Sequence, residues 1–325
     1  MTCTQENSQV KTDASQLVIN LTQTTGEHEN LRVILPKETY TDWNTQSLQL
    51  LAHQILRNCE LTLTLDHQEA MYEAYLQEVK TIKEKLLPHH SYRIEGVEYA
   101  IHYAPSIGGG GDYIDIVDLR AARRRAGFNN DDIFWGGSLF DVSGHGPGAA
   151  VEVAMIDAIL RTYKGAPSGG PVDVMTYVNK HFFTRQRRGG FVTGLLCAFN
   201  ATEQLFSYAN AGHLAPIIRR KNGQIELLDT HGGIPIGIEQ DTTWETQSIA
   251  MYSGDTIVML TDGVTEARSI ENSEFGYEKV VELVRSHDMD STDSFMETFS
   301  ATFAEHIKSQ EIQDDQTLIV IQLLH

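Results

Sequence analysis

From Val97 onward the chain alternates between short apolar runs and turn residues. "GVEYAIHYAP", "DYIDIVDL" and "DIFWGGSLFDV" read as strands, the last ending at Asp141. "GAAVEVAMIDAILRTY" and "PVDVMTYVNKHFFTR" carry apolar residues three and four apart and read as helices, with Pro171 in the favoured first-turn position. Four strands follow, "FVTGLLCAFNA", "QLFSYANAG", "APIIRR" and "QIELLD", separated by turn residues. "TQSIAMY" and "DTIVMLTDG" make a further pair. Two helices, "GYEKVVELVRSH" and "SFMETFSATFAEHI", precede the terminal strand "QTLIVIQLL".

Strands outnumber helices, the helices come in two consecutive pairs, and most strand connections are too short for a helical crossover. This pattern predicts an α+β layered domain of antiparallel sheets covered by paired helices, not a doubly wound parallel sheet. Upstream the texture differs. Between Asn44 and Leu87, Leu48, Leu51, Ile55, Met71, Tyr75, Val79, Ile82 and Leu86 form one apolar stripe at helical spacing, and Pro88 is a plausible stop. The other face is too polar for complete burial, so the stripe must meet either the following domain or a copy of itself. Residues 1–40 are poorly periodic, with "LVINLTQ" and "LRVIL" as short strands or isolated contacts and no domain assignment.

Composition narrows the function. The 325 residues hold 44 acidic against 25 basic side chains, a net charge of -19 that repels nucleic acid phosphates. The basic runs "RAARRR" and "RQRR" read as solvated loops or docking surface. Cys3, Cys59 and Cys197 form no C-x-x-C pair, which argues against a disulfide framework or structural zinc, and Cys197 reads as a buried small hydrophobe. The opening "MTCTQENSQVKTDASQ" lacks an apolar signal core, and no apolar stretch is long enough to span a bilayer. A cytoplasmic protein without direct membrane insertion is the expectation.

Candidate chemistry rests on carboxylates at strand ends or beside glycine: Asp112 in "GGGGDYIDIVDL", Asp141 in "LFDVSGHG", Asp262 in "VMLTDGVTEA", and Asp314 with Asp315 in "QDDQTLIVI". They lie much further apart than the roughly twelve contiguous residues of a calcium loop. They suit separate strands presenting ligands at one edge. Oxygen donors without imidazole or thiolate favour magnesium or manganese over zinc. Two such ions could activate water and neutralise a phosphoryl group during in-line attack. A single Asp beside Gly is ordinarily a turn former, so the argument depends on convergence. "GGGGD" and "GHGPGAA" lack the Lys of a phosphate-binding P-loop, and Ser143 has no G-x-S-x-G around it.

Together these motifs resemble the SpoIIE-like branch of the metal-dependent (PPM, 2C-type) protein serine/threonine phosphatases. The resemblance runs through "KEKLLPHHSYRIEGVEYAIHYAPSIGGGGDYIDIVDL", "FDVSGHGPGAA", "VTGLLCAFNATEQLFSYANAGHLAPIIRR", "GIPIGI", "GDTIVMLTDGVTEA", "FGYEKVVELV" and "DDQTLIVIQL", in that order. It implies a four-layer αββα sandwich with two Mn2+ or Mg2+ ions at one end of the sheets. Carried over by motif, Asp112 would serve one metal, Asp141 would bridge both, the Val142 carbonyl would add a ligand, and Asp262 with Asp314 would hold the second ion. Asp115 and Asp315 are second-choice ligands or acceptors for outer water. Gly144 and Gly146 would shape the turn. His145 is either the proton donor to the leaving oxygen or a turn residue, and His213 in "NAGHLAP" matches a family position with a structural reading.

The resemblance further implies a phosphatase domain over residues 83–325 and a regulatory or dimerising extension over residues 1–82, with a homodimer through the helix. The implied substrate is a phosphorylated regulatory protein, commonly an anti-sigma-factor antagonist in bacterial partner switching. A non-catalytic phosphoprotein-binding regulator of the same fold and another two-metal phosphoesterase are the alternatives.

Overall fold

The strand hydrogen bonds sort the chain into three sheets. The computed structural model describes residues 8–12, 16–22, 30–36, 54, 70–79, 81, 94–106, 110–125, 134–144, 146–164, 170–183, 190–228, 232–308 and 312–324. The chain divides into two units, residues 1–74 and 75–325.

In the first unit, β1 (Ser8–Thr12), β2 (Gln16–Thr22) and β3 (Asn30–Pro36) form an antiparallel sheet in that order. The two runs read as short strands or isolated contacts, "LVINLTQ" and "LRVIL", fall on β2 and β3 of this small sheet. Its register sets Leu17 opposite Leu35, Ile19 opposite Val33 and Leu21 opposite Leu31, so the period-2 apolar sets of β2 and β3 coincide. Residues 70–79 are helical, as are Gln54 and Thr81, and the remainder of the helix expected between Asn44 and Leu87 lies outside the described residues.

The second unit contains two five-stranded antiparallel sheets. One has the order β10-β9-β12-β13-β4, from Ile225–Leu227, Ile217–Arg219, Thr256–Leu260, Gln316–Leu323 and Val97–Ala104. The other has the order β11-β8-β7-β6-β5, from Gln247–Ala250, Leu205–Ala211, Val192–Asn200, Phe134–Val142 and Asp112–Asp118. The sequence treated β11 and β12 as a pair. They instead enter different sheets, β11 at the edge beside β8 and β12 between β9 and β13.

Strand alternation explains the layers. Trp135, Leu139, Ile114 and Leu195 point between the sheets, where they meet Ile257, Met259, Ile319 and Ile321. Their neighbours Tyr113, Phe140 and Val142 point outward and are covered by α2 (Pro147–Thr162) and α3 (Pro171–Phe183) through Val153, Ile156, Met175, Val178 and Phe182. On the other sheet Val258, Leu318 and Val320 point outward against α5 (Tyr277–Ser286) and α6 (Thr292–Ile307). Central strands buried on both faces become continuous apolar runs, which is how β13 reads in the sequence. The result is the expected αββα sandwich, and among the described residues no helix is long and apolar enough to cross a membrane.

The basic run expected as a solvated loop or docking surface forms the short helix α1 (Arg120–Arg125), so it is not a loop. Asp118 caps it by accepting the Arg120 backbone N–H at 2.9 Å, and the Arg120 guanidinium pairs with both Asp118 and Glu95. "RQRR" lies outside the described residues.

The outer core beneath α6 is a cluster of rings. Phe299 is fully buried, stacked on Phe303 and edge-on to Phe275 and His102. Phe299→Ala is expected to cost about 3–5 kcal/mol of unfolding free energy in urea titrations, while Phe299→Leu costs markedly less.

Candidate metal centre

Period-2 alternation carries the acidic residues to one place. Asp112 shares a face of β5 with Ile114 and Ile116, and Asp141 shares a face of β6 with Leu139, so both point between the sheets. Asp112 and Asp141 are direct cross-strand partners. On the facing sheet, Thr317 and Asp315 continue the inward face of β13 defined by Ile319 and Ile321, and Thr261 continues that of β12 beyond Met259. Asp262 then opens the four-residue helix α4 (Asp262–Thr265). Both sheets thus end in polar residues at the same mouth of the inter-sheet core.

Hydrogen bonds stitch this mouth together. Asp112 Oδ2 accepts from the hydroxyls of Thr261, at 2.9 Å, and of Thr317. Asp315 Oδ1 accepts from the Ser106 backbone N–H at 2.7 Å, and its Oδ2 accepts from the Asp112 backbone N–H at 2.9 Å. Asp112 and Asp315 are each 1% exposed, so these contacts supply the partners that burial demands. Glycine makes the approach possible. Gly110 has φ 68°, and a Cβ there would lie 1.8 Å from the Asp315 carboxylate. A Cβ at Gly263 would lie 2.1 Å from the Asp315 carbonyl oxygen, and one at Gly111 would lie 2.7 Å from that of Val142.

Electrostatically the mouth is strained. Asp141 is pushed up to about 8 by burial, then by the charges of Asp262, Asp314 and Asp315 and a side-chain hydrogen bond with Asp262. Asp112 is pushed well above the ordinary carboxylate range by burial, Asp141 and Asp315, against the opposing pull of its two threonine hydroxyls. The charges acting most strongly on Asp141 are all carboxylates. An all-oxygen, mutually repelling donor set fits a hard divalent cation. As the side chains stand, however, no group of three or more His, Cys, Asp or Glu among the described residues is arranged to hold one. The donor chemistry fits while the arrangement is open, so ligation would require these side chains to rearrange.

The structure brings Asp112, Asp141, Asp262, Asp314 and Asp315 under one another's electrostatic influence. Asp115 does not join them. It lies on the other face of β5, beside Tyr113, Asp157 and Arg161. His145 lies outside the described residues, between Gly144 at φ 92° and Gly146 at φ 87°. Ser143 is tied to Phe191, its N–H donating to the Phe191 carbonyl and its Oγ accepting the Phe191 N–H, both at 2.9 Å. Sequence reasoning missed Thr261 and Thr317, although each stands on the inward parity of its strand, two positions beyond an apolar core residue. It also missed Glu266, raised by burial and by the charges of Asp262, Glu274 and Asp314.

A family model described as Stage II sporulation protein E (SpoIIE) matches residues 135–324, more than half of the chain. That match includes Asp141, Asp262 and Asp314 and begins after Asp112. Phosphoserine phosphatase RsbU of Bacillus subtilis is 27% identical over 188 residues, 57% of this chain and 54% of RsbU, so the chain spans about half the length of that curated relative. The SiaA-PP2C domain of Pseudomonas aeruginosa superposes with TM-score 0.66 at 18% identity, covering 79% of this chain and 98% of that domain. The RsbU and RsbW domains of a Mycobacterium tuberculosis protein superpose with TM-score 0.55 at 23% identity, covering 71% of this chain and 61% of that one. Both likenesses show the fold.

The raised carboxylates dictate a pH dependence. Asp141 binds its proton more tightly in the folded chain, up to about pH 8, than in the unfolded chain, where it titrates at about 3.9. The stability it contributes is therefore full below the unfolded value and is lost as pH rises through the folded one. In chelator, melting temperature is expected to fall from about pH 5 to about pH 8.5, and Asp141→Asn should flatten that fall. Thermal melts of both chains across this range check it.

Proposed function

Because the chain belongs to the SpoIIE family, we propose that it is a metal-dependent phosphatase acting on phosphoserine or phosphothreonine of a regulatory protein. The convergence of distant carboxylates at one mouth of the sandwich, where burial and then the charges of its acidic neighbours raise Asp141 to about 8, carries this reading. Likeness to a named phosphoserine phosphatase supports the same residue specificity.

In this reading Asp112, Asp141, the Val142 carbonyl, Asp262 and Asp314 would hold two Mn2+ or Mg2+ ions. The chemistry such ions supply when bound is charge neutralisation and activation of water for in-line attack on phosphorus. The chain's own contribution is positional. Thr261 and Thr317 fix one oxygen of Asp112. Asp315 ties the loop at Ser106 to β5 and β13, so the ligands from the two sheets keep their spacing. Asp314 is exposed at the rim, where a protein-borne phosphate can arrive.

The natural substrate in this proposal is an anti-sigma-factor antagonist in a partner-switching pathway, in keeping with the RsbU and RsbW domains that share one chain in the Mycobacterium tuberculosis protein. Residues 1–82 serve as a regulatory extension that pairs two copies through the helix. Met71 is 62% exposed and Tyr75 is 49% exposed, which leaves apolar surface for such pairing.

Phosphate release from phosphoserine and phosphothreonine peptides is expected to require Mn2+ or Mg2+. Asp141→Asn and Asp262→Asn should each lower kcat more than about a hundredfold, beyond the loss from an outer hydrogen bond to a ligand, with folding retained. Unaltered turnover in either variant contradicts the assignment, and metal-independent phosphopeptide binding without turnover points to the regulator reading. Sedimentation should find a dimer that Met71→Glu with Tyr75→Glu converts to monomer; a monomeric parent chain contradicts the pairing.

A further inference from the structure

The segment "NAGH", Asn210 to His213, is built into the same mouth. The Asn210 side chain grips the backbone of His213 at both ends, its Oδ1 accepting the His213 N–H at 2.7 Å and its Nδ2 donating to the His213 carbonyl at 3.0 Å. Gly212, at φ 72°, makes the tight turn, and a Cβ there would press on Pro235 at 3.0 Å. The imidazole is thereby driven inward to 8% exposure, and its Nδ1 lies 3.0 Å from Thr193 Oγ1.

Thr193 is the direct cross-strand partner of Asp141 and therefore shares its face. A threonine hydroxyl beside a buried carboxylate ordinarily donates to it. Asp112 shows this at the same mouth, where Thr261 and Thr317 both give their protons to Oδ2. At Asp141 the hydroxyl meets an imidazole instead. Burial holds His213 neutral, pushing it down to about 4, with the Leu260 carbonyl as the nearby backbone acceptor. Nε2 makes no hydrogen bond of good geometry. The Leu260 carbonyl near the ring favours a ring N–H, and with Nδ1 engaged by Thr193 we assign that N–H to Nε2. Nδ1 is the acceptor, and Thr193 must be the donor.

We propose that His213 is a positioning residue that draws the Thr193 proton away from Asp141, so that Asp141 keeps its electron pairs for a divalent cation. The two strand-end aspartates are thereby given different roles. Asp112 is tied down by two hydroxyls, while Asp141 is kept clear of the one beside it. This inference rests on the metal site of the proposed function.

Mn2+ titration calorimetry on the full chain tests it. His213→Leu removes the acceptor and frees Thr193 to donate to Asp141, so Mn2+ affinity should fall about tenfold, the scale of outer hydrogen bonds to metal ligands. His213→Gln keeps an acceptor and should bind nearly as the parent does. Adding Thr193→Val to His213→Leu removes the competing proton and should restore most of the loss, which a purely structural histidine would not do. A double variant no tighter than His213→Leu, or a His213→Leu chain that binds like the parent, overturns the proposal.

Nitrogen-15 NMR of the parent imidazole provides a second measurement that does not depend on a variant folding. A neutral Nε2–H ring is expected, and a proton on Nδ1 overturns the inference. A parent chain that binds no Mn2+ sinks the metal-site reading, whereas the tautomer decides the histidine's hydrogen bond separately.

Discussion

Carboxylates of like charge held together in a partly dry space form the constraint on which the rest of the structure depends. Burial and mutual repulsion both favour the protonated forms of Asp141 and Asp112, so the apo fold holds its candidate site at a cost. Other parts of the fold offset that cost. The inter-sheet core beneath the mouth contains fully buried side chains such as Trp135, Leu139 and Ile257, and the outer layers are sealed by paired helices. A divalent cation bound there would remove the repulsion at its source and would stabilise the folded chain.

The hydrogen bonds around the mouth divide the acidic residues by task. Asp315 is structural in its contacts, since both of its oxygens accept backbone N–H groups from Ser106 and Asp112. Asp112 is half committed, one oxygen taken by two threonines. Asp141 stands beside a threonine whose proton goes to His213. Strand register alone places these groups side by side, and their hydrogen-bond partners differentiate them. Glycines at 110 and 263 set the limits of approach, because a methyl group at either would overlap Asp315.

Much of this was legible in the chain. Strand alternation, turn residues and paired helices give a layered domain of antiparallel sheets, because they reflect local periodicity and connection length, while the four-layer αββα form is what the family resemblance implies. The acidic strand ends were also visible, since an apolar run ending in Asp-Gly or Asp-Val is a local pattern. The pairing of β11 and β12 was misread because adjacency in sequence does not fix which sheet an edge strand joins. At the start of the basic run's helix, Asp118 accepts the Arg120 N–H, a contact at the strand end that composition does not reveal. Thr261, Thr317 and Thr193 went unrecognised because threonine in a strand is ordinary. Their roles depend on which partner lies opposite, a property of register between distant segments.

The most direct measurement is anomalous diffraction from crystals grown with Mn2+. The account predicts two manganese peaks at the mouth of the sandwich, held by Asp112, Asp141, the Val142 carbonyl, Asp262 and Asp314. Manganese bound elsewhere, or a mouth in which these side chains remain turned from any ion at saturating Mn2+, would contradict it.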